Sequence, residues 1–108
     1  MKQGFNAHDN ILALIGKTPL IRLNKITKDF YGTHFCKYEA FNPGHSNKDR
    51  IALHIINKAE ESGLIDKNST IIETSSGNTG FSLSMIAMVK GYKCICLLYT
   101  SDAADDPT

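Results

Sequence analysis

Two short stretches of this 108-residue chain hold the residues best suited to chemistry. In the first, "NPGHSNKDR" from Asn42 to Arg50, Lys48 stands where a turn gives way to a predicted helix. Asn-Pro-Gly bends the chain and Ser46 can cap that helix. Lys48 then falls in the first helical turn, where the positive dipole end favours acids over bases. Lysines are ordinarily solvated surface residues, so its position alone assigns no role. The second stretch, "TSSGNTG" from Thr74 to Gly80, offers hydroxyls, the Asn78 amide and two glycines between a predicted strand and a predicted helix. Ligands bind α/β folds at such carboxyl ends of strands. Glycines let backbone N–H groups approach an anion, and the helix after the loop adds its dipole. The loop therefore suits a carboxylate or a phosphate, although Ser/Gly loops often only turn the chain. It is not a Walker loop, because no Gly-Lys-Ser/Thr follows it, nor does it have G-x-G-x-x-G spacing.

The two stretches make sense together. A helix N-terminus favours the neutral form of an amine placed beside it, and the neutral amine is the form that condenses with an aldehyde. That is what a lysine holding a carbonyl cofactor such as pyridoxal 5′-phosphate requires. The Asn78 amide, on the second loop, is then placed to donate to the cofactor's ring oxygen.

The elements that must position these loops are read from periodicity. "DNILALIGKTPL" predicts Asp9 or Asn10 as a cap, a short helical turn and a stop at Gly16 ahead of Pro19. "PLIRLN" reads as a strand. "HFCKYEA" alternates Phe35, Lys37 and Glu39 against Cys36, Tyr38 and Ala40, predicting a second. From Ser46 a helix is expected, with Ile51, Ile55, Ile56 and Ala59 inward, Glu60 and Glu61 in solvent, His54 at the surface and Gly63 ending it. Ser46 and Asp49 have the spacing of a capping box. A strand over Thr70 to Glu73 precedes the TSSGNTG loop. The next helix carries Phe81, Met85 and Met88 as a predicted core stripe, and ends at Gly91. "YKCICLLY" reads as a buried strand, with Cys94 and Cys96 as core thiols. Strands alternating with helices predict an α/β fold with a parallel sheet.

Composition narrows the function classes. A formal net charge of +1 leaves no electrostatic footprint for nucleic acid. No apolar run reaches the roughly 18 residues of a membrane span, and "MKQGFNAHDN" lacks the apolar core of a secretory signal. Three cysteines without zinc-site spacing point to no metal and to a reducing cytoplasm.

"IGKTPLIRLN", "FNPGHSNKDRIALHII", "TIIETSSGNTG" and "KGYKC" resemble, in order and separation, motifs of the pyridoxal-phosphate-dependent cysteine synthase and cystathionine β-synthase family. The resemblance covers nearly all of residues 10 to 95 and implies the N-terminal part of a fold type II enzyme. It also implies that Lys48 carries pyridoxal 5′-phosphate covalently and acts as general base, and that Asn78 binds the ring oxygen. Ser75, Ser76, Gly77 and Thr79 would hold the amino-acid substrate's carboxylate. The implied reaction is a β-replacement on serine or O-acetylserine by sulfide or homocysteine, catalysed by a parent protein expected to be a homodimer. The family's glycine-rich phosphate loop and pyridine-nitrogen serine are not in this chain. The 108 residues alone are therefore expected to be inactive and poorly folded.

Three positions depart from the family pattern: His45 replaces a glycine, Thr74 a proline and Ser75 a threonine. A serine or threonine dehydratase fits less well, because "SNKDR" and "SGNTG" match the β-replacement branch. A non-enzymatic module whose Ser/Gly loop captures an anion is the reading from a different class. The segment from Cys96 to Asp105 resembles the translation of a sequencing adapter. Residues 1–95 are accordingly expected to be the enzyme fragment and 96–108 a non-native tail.

Overall fold

A computed structural model describes residues 5–75 and 77–98, without the side chains of Ser75 and Leu98. Asn10 starts the first element as predicted: its side chain accepts the Leu12 N–H at 2.9 Å and caps a single 3-10 turn, Ile11–Leu14. Gly16 then turns the chain with φ +86°. Strand β1, Leu20–Leu23, pairs antiparallel with β2, His34–Lys37, with Leu20 opposite Lys37 and Leu23 opposite His34. The second strand is shorter than its alternation suggested. Glu39–Phe41 forms a 3-10 turn, which brings the Glu39 carboxylate back toward Arg50 and Thr18.

Helix α1, Lys48–Glu61, leads to β3, Thr70–Ser75; helix α2, Asn78–Lys90, leads to β4, Lys93–Leu98. β3 and β4 pair in parallel through the α2 crossover, Thr70 opposite Lys93 and Glu73 opposite Cys96. The α/β prediction therefore holds for this half. The β1–β2 ribbon forms a separate two-stranded sheet. Of the expected non-native tail, 96–108, residues 96–98 continue β4 and the rest lies outside the described residues.

The core sits between the helices: Ala52 and Ile56 of α1 meet Leu83 and Ile86 of α2, with Leu12, Ile15, Leu53, Ile65 and Ile71 around them. Two predicted stripes are inward only in part: Ile56, Ala59 and Met85 turn toward the core, and the other members do not. In α1, Ile51 and Ile55 are about half exposed. In α2, Phe81 is 57% and Met88 78% exposed, and the buried face runs through Gly80, Ser82, Leu83, Ile86 and Ala87. The physical reason is that α2 is apolar nearly all round, so period alone selects no face. Small residues on α2 let it approach α1 at Ala52, and that contact decides the orientation. β4 likewise is covered on one side only. Cys94 and Cys96 face α2, whereas Ile95 and Leu97 are about half exposed.

Glu60 is not simply solvated. It accepts Lys90 Nζ at 2.8 Å and the Tyr92 hydroxyl at 2.5 Å, joining the C-terminal ends of both helices. Lys90 and the tyrosine hold its carboxyl below the ordinary range. The hydrogen bond to Glu60, with burial, pushes Tyr92 up to about 12. His54 is at the surface, as expected, and Gly63 lies just past the helix end with φ +75°.

Candidate functional site

The lysine loop is held from beneath by one buried amide. Asn42 is 1% exposed. Its Oδ1 accepts the Gly16 N–H at 2.8 Å. Its Nδ2 donates to the Glu39 carbonyl, to Glu39 Oε1 and to the Ser46 carbonyl at 2.9, 3.1 and 3.0 Å. The Asn-Pro-Gly turn, the Gly16 turn and the start of α1 thus share one side chain. Arg50 locks the same corner. Its Nε and Nη2 reach the two Glu39 oxygens at 2.6 and 2.9 Å, and Nη2 also donates to Thr18 Oγ1 at 2.9 Å. Arg50, then Thr18, hold the Glu39 carboxyl down to about 2. The sequence shows Asn42 only as a turn residue and Glu39 only in a strand's alternation, and Thr18 not at all, because only folding brings residues 18, 39, 42 and 50 together.

Lys48 is the first residue of α1 and is half-buried; its N–H donates to Ser46 Oγ at 3.1 Å. The predicted capping box does not form. Ser46 Oγ accepts from the Lys48 N–H and not from that of Asp49, and the Asp49 carboxylate turns inward to Gly44 N–H at 2.6 Å and Ser82 Oγ at 2.5 Å. A Cβ on Gly44 would lie 2.1 Å from Asp49 Oδ1, so close approach requires glycine there. His45 comes next with φ +66°, in the left-handed region that glycine adopts freely and histidine at a cost.

The second loop opens α2. Gly77 has φ +150° and ψ −79°, a backbone open to glycine, and its carbonyl accepts the Phe81 N–H at 2.9 Å. Asn78 is the first helical residue and is exposed; Thr79 is half-buried. No acidic residue occupies the first turn of α2, whose positive end favours a negative group. Ser76 and the side chain of Ser75 lie outside the described residues.

The two loops meet. A cleft of about 520 Å³ is lined by Gly44 and His45 of the first loop, by Gly77, Asn78, Gly80 and Phe81 of the second loop and the start of α2, and by Ser84 and Cys96. Its size is that of small-molecule sites. Lys48 lies three residues beyond His45 and is not itself in the wall. Among the described residues, no group of three or more His, Cys, Asp or Glu could hold a metal ion. None of the helices described is long and apolar enough to cross a membrane.

The residues present fit pyridoxal 5′-phosphate: a primary amine, Lys48, at the helix start that follows one lining loop, and a carboxamide, Asn78, in the cleft lining at the start of α2. Lys48 and Asn78 could hold the aldehyde and ring-oxygen side of such a group.

Comparison with known proteins agrees with that chemistry. Residues 11–105 match the family model "Pyridoxal-phosphate dependent enzyme". The chain is 52% identical over 92 residues to cystathionine beta-synthase of Apis mellifera, covering 82% of this chain and 18% of that protein. It is 50% identical over 91 residues to cysteine synthase of Flavobacterium sp. strain K3-15, covering 82% and 29%. The structure of a hydrogen sulfide-producing enzyme from Fusobacterium nucleatum superposes with a TM-score of 0.79 at 47% identity, over 86% of this chain and 30% of that one. The chain thus spans less than a third of the proteins it matches. It belongs to the pyridoxal-phosphate-dependent enzyme family, in the fold type II branch that holds cysteine synthase and cystathionine beta-synthase.

Proposed function

We propose that this chain supplies the lysine-bearing part of a cysteine synthase, which makes cysteine from O-acetylserine or serine and sulfide. The observation that carries the reading is the cleft where the loop before Lys48 meets the loop that carries Asn78. In this reading Lys48 holds the cofactor covalently. Once released from it, the Lys48 amine removes the substrate's α-proton and keeps it at Nζ for later return. The Asn78 carboxamide orients the ring from the start of α2. The start of α2, with Ser75, Ser76, Gly77 and Thr79, binds the substrate carboxylate through hydroxyls and backbone N–H groups. The cofactor, when bound, supplies the electron sink that lets the β-substituent leave.

Apolar surface supports the view that further protein completes the site. Ile72 and Leu97 on the open face of the sheet are 62% and 55% exposed, and Met88 on α2 is 78% exposed. These 108 residues alone are expected to turn over no substrate. A homodimeric, cytoplasmic whole enzyme is part of the same proposal. Cystathionine β-synthase, joining serine and homocysteine, is the second reading, favoured by the 52% identity to the Apis mellifera protein.

The test is an assay of the full-length protein with O-acetylserine and sulfide beside serine and homocysteine. Cysteine formation that falls at least ~1000-fold in Lys48→Ala is the expected result. Ligand binding that survives in Lys48→Ala, with no visible cofactor absorbance in the wild type, would mark an anion-binding module and sink the proposal.

A further inference from the structure

Asp49, next to Lys48 in the chain, is fully buried, and both of its oxygens are engaged. Oδ2 accepts the N–H of Gly44, which stands in the cleft wall beside His45. Oδ1 accepts the hydroxyl of Ser82, itself fully buried, four residues and about one turn beyond Asn78 on α2. One carboxylate therefore bonds to the lysine loop and to the helix that begins at Asn78.

Apolar contact alone would press α1 against α2, as Ala52, Ile56, Leu83 and Ile86 already do. Apolar packing is non-directional, however, and a buried carboxylate is costly unless hydrogen bonds satisfy it. What such a group adds is direction, because each bond has a preferred length and angle. The fit at Gly44, which leaves no room for a Cβ, shows how closely the loop is drawn in.

We propose that Asp49 is a positioning residue: through Gly44 and Ser82 it sets the relation of Lys48 to Asn78, so that one cofactor meets both. This rests on the reading of Lys48 as the cofactor lysine. Asp49 touches no reacting atom and acts through the loop and the helix.

The experiment titrates pyridoxal 5′-phosphate into the full-length apoprotein, then reduces with borohydride and locates the modified lysine by peptide mass spectrometry. Trapping at Lys48 in the wild type is expected; trapping elsewhere overturns the proposed function and this inference with it. Given trapping at Lys48, three variants decide the inference alone. Ser82→Ala should weaken cofactor affinity about 3- to 10-fold, the worth of one hydrogen bond, and Asp49→Ala about 30-fold or more. Both should lower the share of label at Lys48 relative to other lysines. Asp49→Asn should stay within about 3-fold, since a carboxamide oxygen still accepts from Gly44 and its NH2 can donate to Ser82 Oγ. Unchanged affinity and Lys48 labelling in Ser82→Ala and Asp49→Ala, with only thermal stability reduced, would make Asp49 a structural brace and overturn the proposal. An Asp49→Asn loss as large as that of Asp49→Ala would overturn it in favour of charge. If Asp49→Ala does not fold, Ser82→Ala decides by the same two readouts.

Discussion

Arg50 grips Glu39 with two nitrogens, Nε at 2.6 Å from Oε1 and Nη2 at 2.9 Å from Oε2. This fork joins the first turns of α1 to the segment just after β2, and Thr18 Oγ1 bonds to both partners. Paired bonds of this kind fix an angle as well as a distance. The lysine loop is the segment enclosed between them.

The Glu39 pair carries a pH dependence whose sign can be worked out. The folded carboxyl is held down to about 2, below its ordinary 4.5. Its contribution to stability is therefore fully present above about pH 4.5 and is lost as pH falls toward 2. Denaturant unfolding of the full-length protein at pH 5, 4 and 3 should show a falling midpoint. Glu39→Gln should flatten that fall, leaving a remainder from Glu60, whose carboxyl Lys90 and Tyr92 also hold low. An identical slope in the variant would contradict the assignment.

His45→Gly should stabilise the protein. A left-handed backbone costs an L-residue about 1–2 kcal/mol, and glycine returns about 0.5–1 of this as unfolded-state entropy. The expected net gain is ~0.5–1 kcal/mol, read as a raised thermal midpoint. Because His45 stands in the cleft wall, KM for the amino-acid substrate should shift in the same variant.

Asn42→Asp tests the buried amide. The new carboxylate keeps an acceptor for the Gly16 N–H but loses every donor and faces Glu39 Oε1. A cost of about 2–4 kcal/mol is expected from the unpaired carbonyls and the like charges. Equilibrium unfolding measures it, and a change below ~1 kcal/mol would contradict the network.

Gly44→Ala should be poorly tolerated, since its Cβ would sit 2.1 Å from one Asp49 oxygen and 2.9 Å from the other. Relief requires the loop to leave Asp49, at about 3 kcal/mol. Cofactor titration should show weaker binding alongside the lower unfolding midpoint.

Much of the local structure was legible from residue type and spacing. Asn10 as a cap, Gly16, Gly63 and Gly91 as turns, and the start of α1 are set by short-range stereochemistry, which acts within a few residues; α2 begins at Asn78, inside the stretch that reads as a loop. Lys48 beside a helix start and Asn78 after a glycine loop were legible for the same reason. Other features were set only by distant partners. The face that α2 buries is the one packed against Ala52 and Ile56 of α1, which the helix's own apolar residues, spread around its circumference, do not specify. Asp49 has the spacing of a cap partner for Ser46, yet Gly44 and Ser82 together offer it two bonds inside the fold. Glu39 continues a strand's alternation, but a 3-10 turn carries it to Arg50. Spacing along the chain therefore singled out Lys48, Asn78 and the stretches that carry them as candidates. The meeting of the two loops at one cleft depends on hydrogen bonds between residues 16 and 42, 39 and 50, and 49 and 82, which lie far apart along the chain.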